Sequence, residues 1–343
     1  MHWRIGLVGF GNVGKAFVSL YREFREIWNK RFGLTSDFVF ILNSRGGIFD
    51  EKGISDEALN EALSSKEGLT SLKGWRKGLK FEDLIDSANI NLLVEVSPTN
   101  IKNGEPALSY IKSALSKGIH VVTGNKGPFL YNFRELFDLA KEKKCFLGIG
   151  CTAGAALPSI NFGLGSLSGS RIDRIEGVLN GVCNFILTSM EEKGISFEEA
   201  LKIAQEMGIA ETDPSLDIDG WDTASKILII ANYLMDSSLT LKDIQVKGIR
   251  GISQKEILDA KKIGKRLKLA GVAVRDGERV KAEVKLIEVG ENHFLFDLRG
   301  TNKGILYVTY PAGEFFVKGG ASSPTGAGYS IWRDIINFQF KLQ

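Results

Sequence analysis

The sequence predicts an α/β protein: an N-terminal doubly wound parallel sheet, followed by an α+β domain with a mixed or antiparallel sheet. Three observations lead to this prediction. Residues 1–149 alternate between short apolar runs and helical patterns, which is typical of parallel sheets covered by helices. A glycine-rich turn joins the first strand to the first helix, and residues 267–317 contain several strands separated by turns.

The first strand, Trp3 to Val8, leads into a G-x-G-x-x-G turn and a helix that ends near Arg31. Such a turn lets the backbone approach a pyrophosphate, and the N-terminus of the helix receives its negative charge. Between a first strand and a first helix, the motif predicts a Rossmann-type dinucleotide site. The expected cofactor-binding residues of this turn are Gly9, Phe10, Gly11, Asn12, Val13 and Gly14.

The second strand, Asp37 to Leu42, ends at Asn43-Ser44-Arg45. An NAD-specific site usually has a carboxylate here for the ribose 2′-hydroxyl, whereas an arginine suits the 2′-phosphate of NADP. Arg45 therefore favours NADP over NAD as the cofactor. The alternative is that Arg45 is simply exposed to solvent.

Two later strands of this domain place polar residues in the loops at their carboxyl ends, where parallel sheets form the ligand crevice. The strand Ile90 to Val96 is followed by Ser97 and Thr99, which we expect near the cofactor. The strand His120 to Val122 is followed by Lys126, placed for a substrate carboxylate or the nicotinamide carboxamide; the alternative is a turn lysine in water. The other predicted elements are helices Asp56 to Ser64, Glu82 to Ala88, Pro106 to Ser116 and Asn132 to Lys143, and strand Cys145 to Gly150.

Small neutral residues at 152–158 mark a domain boundary, so we expect a dinucleotide-binding domain over residues 1–149 and a second domain over 150–323. A terminal helix within 324–343 is expected to pack back onto the first domain. In the second domain Asp276-Gly277 predicts a hairpin turn. The predicted strands there are Ile172 to Leu179, Leu267 to Val274, Val280 to Val289, Phe294 to Leu298, Gly304 to Tyr310 and Glu314 to Val317.

A loop with many acidic residues precedes a predicted helix from Trp221 to Met235. On that helix Asp222 and Lys226 are spaced i,i+4 and therefore share one face. A surface ion pair is the alternative interpretation. Against a surface pair, the residues after Lys226 are strongly apolar, which predicts that the lysine is partly buried. Burial disfavours the charged form of a lysine, so its amine can donate or accept a proton near neutral pH. The acidic residues of the loop are Glu211, Asp213, Asp217 and Asp219.

The composition limits the partners and the cellular compartment that we expect for this protein. The chain has 343 residues, a net charge of +3 and three cysteines without metal-ligand spacing. This weak charge does not favour nucleic acid or a membrane surface, and no apolar run is long enough to span a bilayer. The odd number of cysteines favours thiols in a reducing compartment, so we expect a cytoplasmic protein.

Four separated motifs together resemble the homoserine dehydrogenase family over essentially the whole chain. The resemblance implies an NAD(P)-dependent oxidoreductase that interconverts L-homoserine and L-aspartate 4-semialdehyde, in the biosynthesis of threonine, methionine and isoleucine. It also implies a homodimer formed through the sheet of the second domain. The motifs are Gly9 to Gly14, Gly118 to Lys126, Asn180 to Thr188 and Glu211 to Lys226.

The resemblance also implies roles for single residues. Lys226 matches the family's proton-transfer lysine, and catalysis is expected from Lys226, Asp222 and Lys126. The implied substrate-binding residues are Glu211, Asp217 and Asp222. The implied cofactor contacts outside the glycine turn are Ser97, Lys126, Gly208 and Gly326.

Family members also carry a monovalent cation site, typically for Na⁺, made largely of backbone oxygens. In this chain it would fall on Gly150, Ala153, Ala155 and Leu157, with Gly150 where members commonly have an acidic residue.

Two alternatives to homoserine dehydrogenase remain: another semialdehyde dehydrogenase that uses Cys151 as a nucleophile, or a non-catalytic NADP-binding regulator. We expect no added regulatory domain, and the sequence alone does not determine whether threonine acts as a feedback inhibitor.

Overall fold

The computed structural model describes residues 1–320 and 322–341, so residue 321 of the predicted second domain and residues 342–343 of the predicted terminal helix range lie outside it. The chain forms two compact units. The first comprises residues 1–155 and 323–343, and the second comprises residues 156–322. No helix in the described part of the chain is both long and apolar enough to cross a membrane.

The first unit is built on a seven-stranded sheet in the order β4-β3-β2-β1-β5-β6-β7. The strands β2, β1, β5, β6 and β7 run parallel, whereas β3 and β4 add an antiparallel edge. The fold class predicted from the sequence is confirmed. The strands are β1 His2–Val8, β2 Thr35–Asn43, β3 Gly46–Phe49, β4 Arg76–Lys77, β5 Leu92–Glu95, β6 His120–Thr123 and β7 Leu147–Gly148.

Helices cover this sheet, and the last helix of the chain packs against the first. Trp332 of the last helix stacks on Phe17 of the first helix, with ring centroids 4.4 Å apart, and the indole N–H of Trp332 donates to the Phe17 carbonyl. Both side chains are fully buried, so this contact holds the terminal helix on the N-terminal sheet. Numbered in chain order, these helices are α1 Asn12–Phe32, α2 Asp56–Ser64, α3 Ala107–Ser116, α4 Phe133–Glu142 and α11 Pro324–Lys341.

The second unit is built on a six-stranded mixed sheet in the order β13-β12-β8-β10-β11-β9, antiparallel except where β9 pairs with β11. The predicted hairpin at Gly277 is confirmed, since β10 ends at Asp276 and β11 starts at Arg279. The strands are β8 Arg171–Val178, β9 Gln245–Val246, β10 Arg266–Asp276, β11 Arg279–Val289, β12 Gly304–Tyr310 and β13 Gly313–Lys318. The helices are α5 Ser159–Ser166, α6 Gly181–Lys193, α7 Phe197–Glu206, α8 Ser215–Ile218, α9 Trp221–Leu234 and α10 Gln254–Lys262.

Two predicted elements are wrong. Residues 82–88 form successive turns rather than a helix, because their backbone alternates between i→i+3 and i→i+4 hydrogen bonds. Residues 294–298 form turns rather than a strand. There the buried residues Leu295 and Leu298 are three apart, so both reach one apolar cluster, which a strand with its period of two would not allow.

Candidate active site

The glycine turn at the end of β1 has the features of a phosphate-binding loop. A Cβ on Gly9 would lie 2.4 Å from the Val96 carbonyl oxygen, and one on Gly14 would lie 2.0 Å from the Gly9 carbonyl oxygen. In contrast, a Cβ on Gly11 would have no heavy atom of the described chain within 4 Å. Gly11 is also the N-cap of α1, where no side chain caps the helix and no acidic residue lies in the first turn. The residues therefore fit a dinucleotide pyrophosphate.

Basic side chains flank the carboxyl end of β2. Arg45 is exposed in the turn from β2 to β3, where its backbone N–H donates to Asn43 Oδ1 at 2.8 Å. The edge strand β4 brings two more exposed cations beside this turn, since Lys77 pairs with Gly46 and Arg76 precedes it. Sequence reasoning missed Arg76 and Lys77, because a two-residue strand has no detectable periodicity.

The loops that carry Ser97 and Lys126 follow neighbouring strands. In the sheet Glu95 of β5 pairs with Thr123 of β6, so both loops leave the same edge side by side. The N–H and hydroxyl of Ser97 both donate to Glu95 Oε1, the N–H at 2.9 Å. Lys126 is half-buried and precedes the short 3₁₀ turn Gly127–Leu130. The two residues thus lie at the edge that the glycine turn also occupies.

In the second unit, Lys226 is held by two oxygens. Its Nζ donates to Asp222 Oδ2 at 2.6 Å and to the Leu179 carbonyl at 2.9 Å. The side chains of Lys226 and Asp222 are only 17% and 13% exposed, so they are not a solvated surface pair. Asn180 joins the cluster, because its Nδ2 donates to Asp222 Oδ2 at 2.8 Å and to Asp217 Oδ1 at 2.6 Å. The structure thus brings together three of the predicted site residues.

Asn180 is a site residue that sequence reasoning quoted only as part of a motif. Its Oδ1 accepts the Cys183 N–H at 2.9 Å and so caps α6. With its oxygen fixed by that N–H, its amide nitrogen must face the two carboxylates. An Asn followed by a helix signals an N-cap, but the two distant partners could not be inferred from the sequence.

The loop that carries Asp217 is fixed by a second segment of the chain. Arg250 binds Asp219 through two nitrogens, at 2.5 and 2.9 Å, and its own backbone N–H donates to the Ile218 carbonyl. Arg250 lowers the pKa of the Asp219 carboxyl below its ordinary value. Arg250 thereby anchors the C-terminal end of α8, the short helix that carries Asp217.

The remaining predicted residues lie at loop or helix ends. Glu211 is exposed, and its backbone carbonyl accepts the Gln205 side chain at 3.2 Å. Gly208 follows α7 with φ +68°, a conformation that favours glycine. In the first unit, Gly326 lies in the first turn of α11, where its N–H donates to Ser323 Oγ at 3.0 Å.

The cysteines are poor candidates for a nucleophile. Burial, reinforced by Asp217 and Asp222, raises the pKa of the Cys183 thiol well above its ordinary value. Cys151 is 8% exposed and its Sγ lies 3.6 Å from the Ala327 carbonyl. A thiolate is the reactive form of cysteine, so neither environment favours thiohemiacetal chemistry.

The four residues predicted for a cation are divided between the two units, with Leu157 in the second and the other three in the first. Ala153 and Leu157 are fully buried, Ala155 has φ +51°, and the Gly150 N–H donates to Asp334 Oδ2 at 2.8 Å. Within residues 1–320 and 322–341 there is no cluster of three or more His, Cys, Asp or Glu side chains suited to a metal. A cation at these positions would depend on backbone oxygens.

Comparison with known proteins decides the family. Residues 9–148 match the family model of the homoserine dehydrogenase NAD-binding domain, and residues 158–336 match that of homoserine dehydrogenase. The chain belongs to the homoserine dehydrogenase family. It is accordingly an NAD(P)-dependent oxidoreductase that acts on a small-molecule substrate.

Relatives of similar length support this assignment. The homoserine dehydrogenase of Methanocaldococcus jannaschii is 36% identical over 96% of this chain and 97% of its own. The NAD(+)-dependent homoserine dehydrogenase of Pseudomonas canavaninivorans is 32% identical over 98% and 96%. The crystal structure of a putative homoserine dehydrogenase from Archaeoglobus fulgidus has a TM-score of 0.88 at 31% identity, covering 98% of this chain and 99% of that one. A hyperthermophilic archaeal homoserine dehydrogenase in complex with NADPH has a TM-score of 0.83 at 27% identity, covering 99% and 98%.

Proposed function

We propose that the cluster around Lys226 performs the proton transfer of homoserine dehydrogenation. The nicotinamide cofactor would supply or accept the hydride at the carbon that bears the oxygen. Lys226 would protonate the alkoxide of the semialdehyde, directly or through a water, and would accept the hydroxyl proton in the reverse direction. The observation that carries this role is the pairing of a largely buried Lys226 with Asp222 at 2.6 Å.

The carboxylates are proposed to bind the polar groups of the substrate. Asp217 and Asp222 accept the Asn180 amide, which keeps two negative charges close together on one side of Lys226. Two adjacent carboxylates suit the ammonium group of an amino acid and the hydroxyl of homoserine. We propose the same role for Glu211, which is exposed on the loop before α8.

We propose that the glycine turn and Gly326 bind the dinucleotide, with Ser97 and Lys126 near its nicotinamide. Gly208 is proposed as a further cofactor contact. The exposed cations Arg45, Arg76 and Lys77 favour the 2′-phosphate of NADP. Of the related proteins, one is named NAD(+)-dependent and one was solved with NADPH, so the family name alone does not determine the cofactor.

Three further features are part of the proposal. A monovalent cation would be held by backbone oxygens at the four predicted positions. A homodimer would use the sheet of the second unit, on which Val274 of β10 is exposed. The reaction would serve threonine, methionine and isoleucine biosynthesis.

The direct test is absorbance at about 340 nm, with L-homoserine and NADP⁺ or NAD⁺ near pH 9, because the oxidation releases a proton. We expect reduction that requires homoserine, and faster reduction with NADP⁺. If the protein binds NADPH in a fluorescence titration but homoserine gives no reduction, the proposed reaction is wrong. Phosphate dependence together with inactivation by alkylation of Cys151 would instead favour a semialdehyde dehydrogenase of the thiohemiacetal type.

A further inference from the structure

A fully buried carboxylate lies at the edge of the N-terminal sheet where the proposed cofactor loops begin. Glu95 is the last residue of β5 and is 0% exposed. It pairs with Val8, the last residue of β1, and with Thr123, the last residue of β6. Glu95 thus occupies the centre of the sheet edge, directly behind the glycine turn and the loops of Ser97 and Lys126.

Both oxygens of this carboxylate accept hydrogen bonds, and each oxygen serves a different loop. Oε1 accepts the N–H and hydroxyl of Ser97, and Oε2 accepts the Thr123 hydroxyl at 3.0 Å. The backbone carbonyl of Glu95 also accepts the Gly124 N–H at 3.1 Å. One side chain therefore connects the loop after β5 to the loop after β6.

Asn125 extends the connection to the residue next to Lys126. Its N–H donates to Thr123 Oγ1 at 2.9 Å, and its Nδ2 donates to the Ser97 carbonyl at 3.3 Å. Its Oδ1 accepts the Gly127 N–H at 3.1 Å, so its bonds enclose Lys126 on both sides. Thr123 and Asn125 are at most 1% exposed, which excludes water as a substitute partner for most of these groups.

The hydrogen bonds of the site favour an acceptor at both carboxyl oxygens of Glu95. The groups that face the Glu95 carboxyl are N–H and O–H donors, and a carboxylate is the side chain that offers only acceptors. Burial raises the pKa of Glu95 to about 6, against which the hydrogen bonds from Ser97, Thr123 and Asn125 stabilise the charged form. Ionisable groups with strongly shifted pKa values cluster at functional sites.

We propose that Glu95 is a positioning residue: it fixes the loops after β5 and β6 to each other, and so sets the places of Ser97 and Lys126 for the cofactor. This inference rests on the proposed function, which assigns Ser97 and Lys126 to cofactor and substrate. Glu95 is fully buried, so it acts through these two loops and not by contact with the cofactor or the substrate.

The test compares two isosteric changes of fully buried strand carboxyls. Glu95→Gln places an amide NH₂ against the donors, whereas Glu176→Gln removes the charge of a 1% exposed glutamate on β8 of the other sheet. NADPH affinity is measured by fluorescence titration, beside the melting temperature and the kcat and KM for homoserine oxidation. We expect NADPH binding about tenfold weaker in Glu95→Gln, equal to ~1.4 kcal/mol, and unchanged in Glu176→Gln.

A third variant keeps the test valid if Glu95→Gln folds poorly. Thr123→Val retains the shape of the side chain but removes both the donor to Oε2 and the acceptor of the Asn125 N–H, and it should weaken NADPH binding about threefold. In the double variant the two losses should be less than additive, because both changes act on the one hydrogen-bond network that joins the two loops.

The outcomes separate the two proposals. If wild type oxidises homoserine while Glu95→Gln binds NADPH as tightly as Glu176→Gln does, the positioning role is wrong and the proposed function stands. If wild type binds NADPH without oxidising homoserine, the proposed function is wrong, and weaker NADPH binding by Glu95→Gln still supports the role of Glu95. A lower melting temperature with unchanged NADPH affinity would indicate a purely structural role and would overturn the inference.

Discussion

Asn180 and Lys226 donate to the same oxygen: Asp222 Oδ2 accepts the Asn180 amide at 2.8 Å and the Lys226 ammonium at 2.6 Å. The other hydrogen of that amide nitrogen serves Asp217. The N-cap of α6 is therefore also the link that connects the acidic loop to the lysine of α9. Capping and chemistry depend on opposite ends of one amide group.

Because Asn180 both caps α6 and donates to two carboxylates, one substitution can separate these two roles. Asn180→Asp keeps an oxygen to cap the Cys183 N–H, so α6 should stay folded. It replaces the donor to Asp217 and Asp222 with a third carboxylate, and we expect kcat/KM for homoserine to fall about 10²-fold. Steady-state kinetics and a thermal melt are compared with Asn60→Asp, a change of an exposed residue on α2. A kcat/KM within about threefold of wild type would contradict the proposed role.

The glycine turn makes opposite predictions for two of its residues. Gly11→Ala meets no clash within the described chain, so the melting temperature should not change. Its methyl group occupies the space of the pyrophosphate, and NADPH binding should weaken at least about tenfold. Gly14→Ala would place its Cβ 2.0 Å from the Gly9 carbonyl and should lower the melting temperature as well. Unchanged NADPH affinity in Gly11→Ala would show that the pyrophosphate lies elsewhere.

Cofactor preference depends on the cations beside β2. Arg45→Ala and Arg76→Ala should each lower kcat/KM for NADP⁺ about tenfold and leave that for NAD⁺ unchanged, because only NADP⁺ has the 2′-phosphate. The matched control is Lys202→Ala, an exposed lysine on α7. Equal losses with both cofactors would mean that these arginines do not discriminate between them.

The pH dependence of stability follows from Glu95. Its pKa lies at about 6 in the folded protein, above the ordinary 4.5, because burial disfavours the charge. The unfolded chain therefore ionises first, and wild type loses stability as pH rises from 4.5 through 6. The change amounts to ~2 kcal/mol relative to Glu95→Gln, which has no such group. Urea denaturation of both proteins across this range checks the prediction, and a constant difference between them would contradict it.

Much of the fold could be predicted from the sequence, because its strongest signals are local. Helix Asp56–Ser64 and the hairpin at Gly277 are confirmed, since caps and turn residues act on their neighbours. The two-residue strand β4 and the turns at 294–298 were not predicted. Their conformation depends on distant partners, the edge of β3 and the apolar cluster of the second unit.

The candidate site was predictable to the extent that its residues lie in motifs. Spacing alone placed Asp222 and Lys226 on one helix face, and the structure adds that they are in contact and largely buried. The links made by Asn180 and Glu95 could not be predicted. Asn180 reaches Asp217, 37 residues later in the chain, and Glu95 reaches Thr123, 28 residues later.

The most direct test of the account is homoserine oxidation by Lys226→Ala, measured beside its NADPH affinity. Removal of the amine should lower kcat by about 10²- to 10⁴-fold, and NADPH should bind as it does to wild type, because Lys226 is assigned to the substrate proton. A kcat near that of wild type, or a loss of NADPH binding as large as the loss of activity, would contradict the assignment.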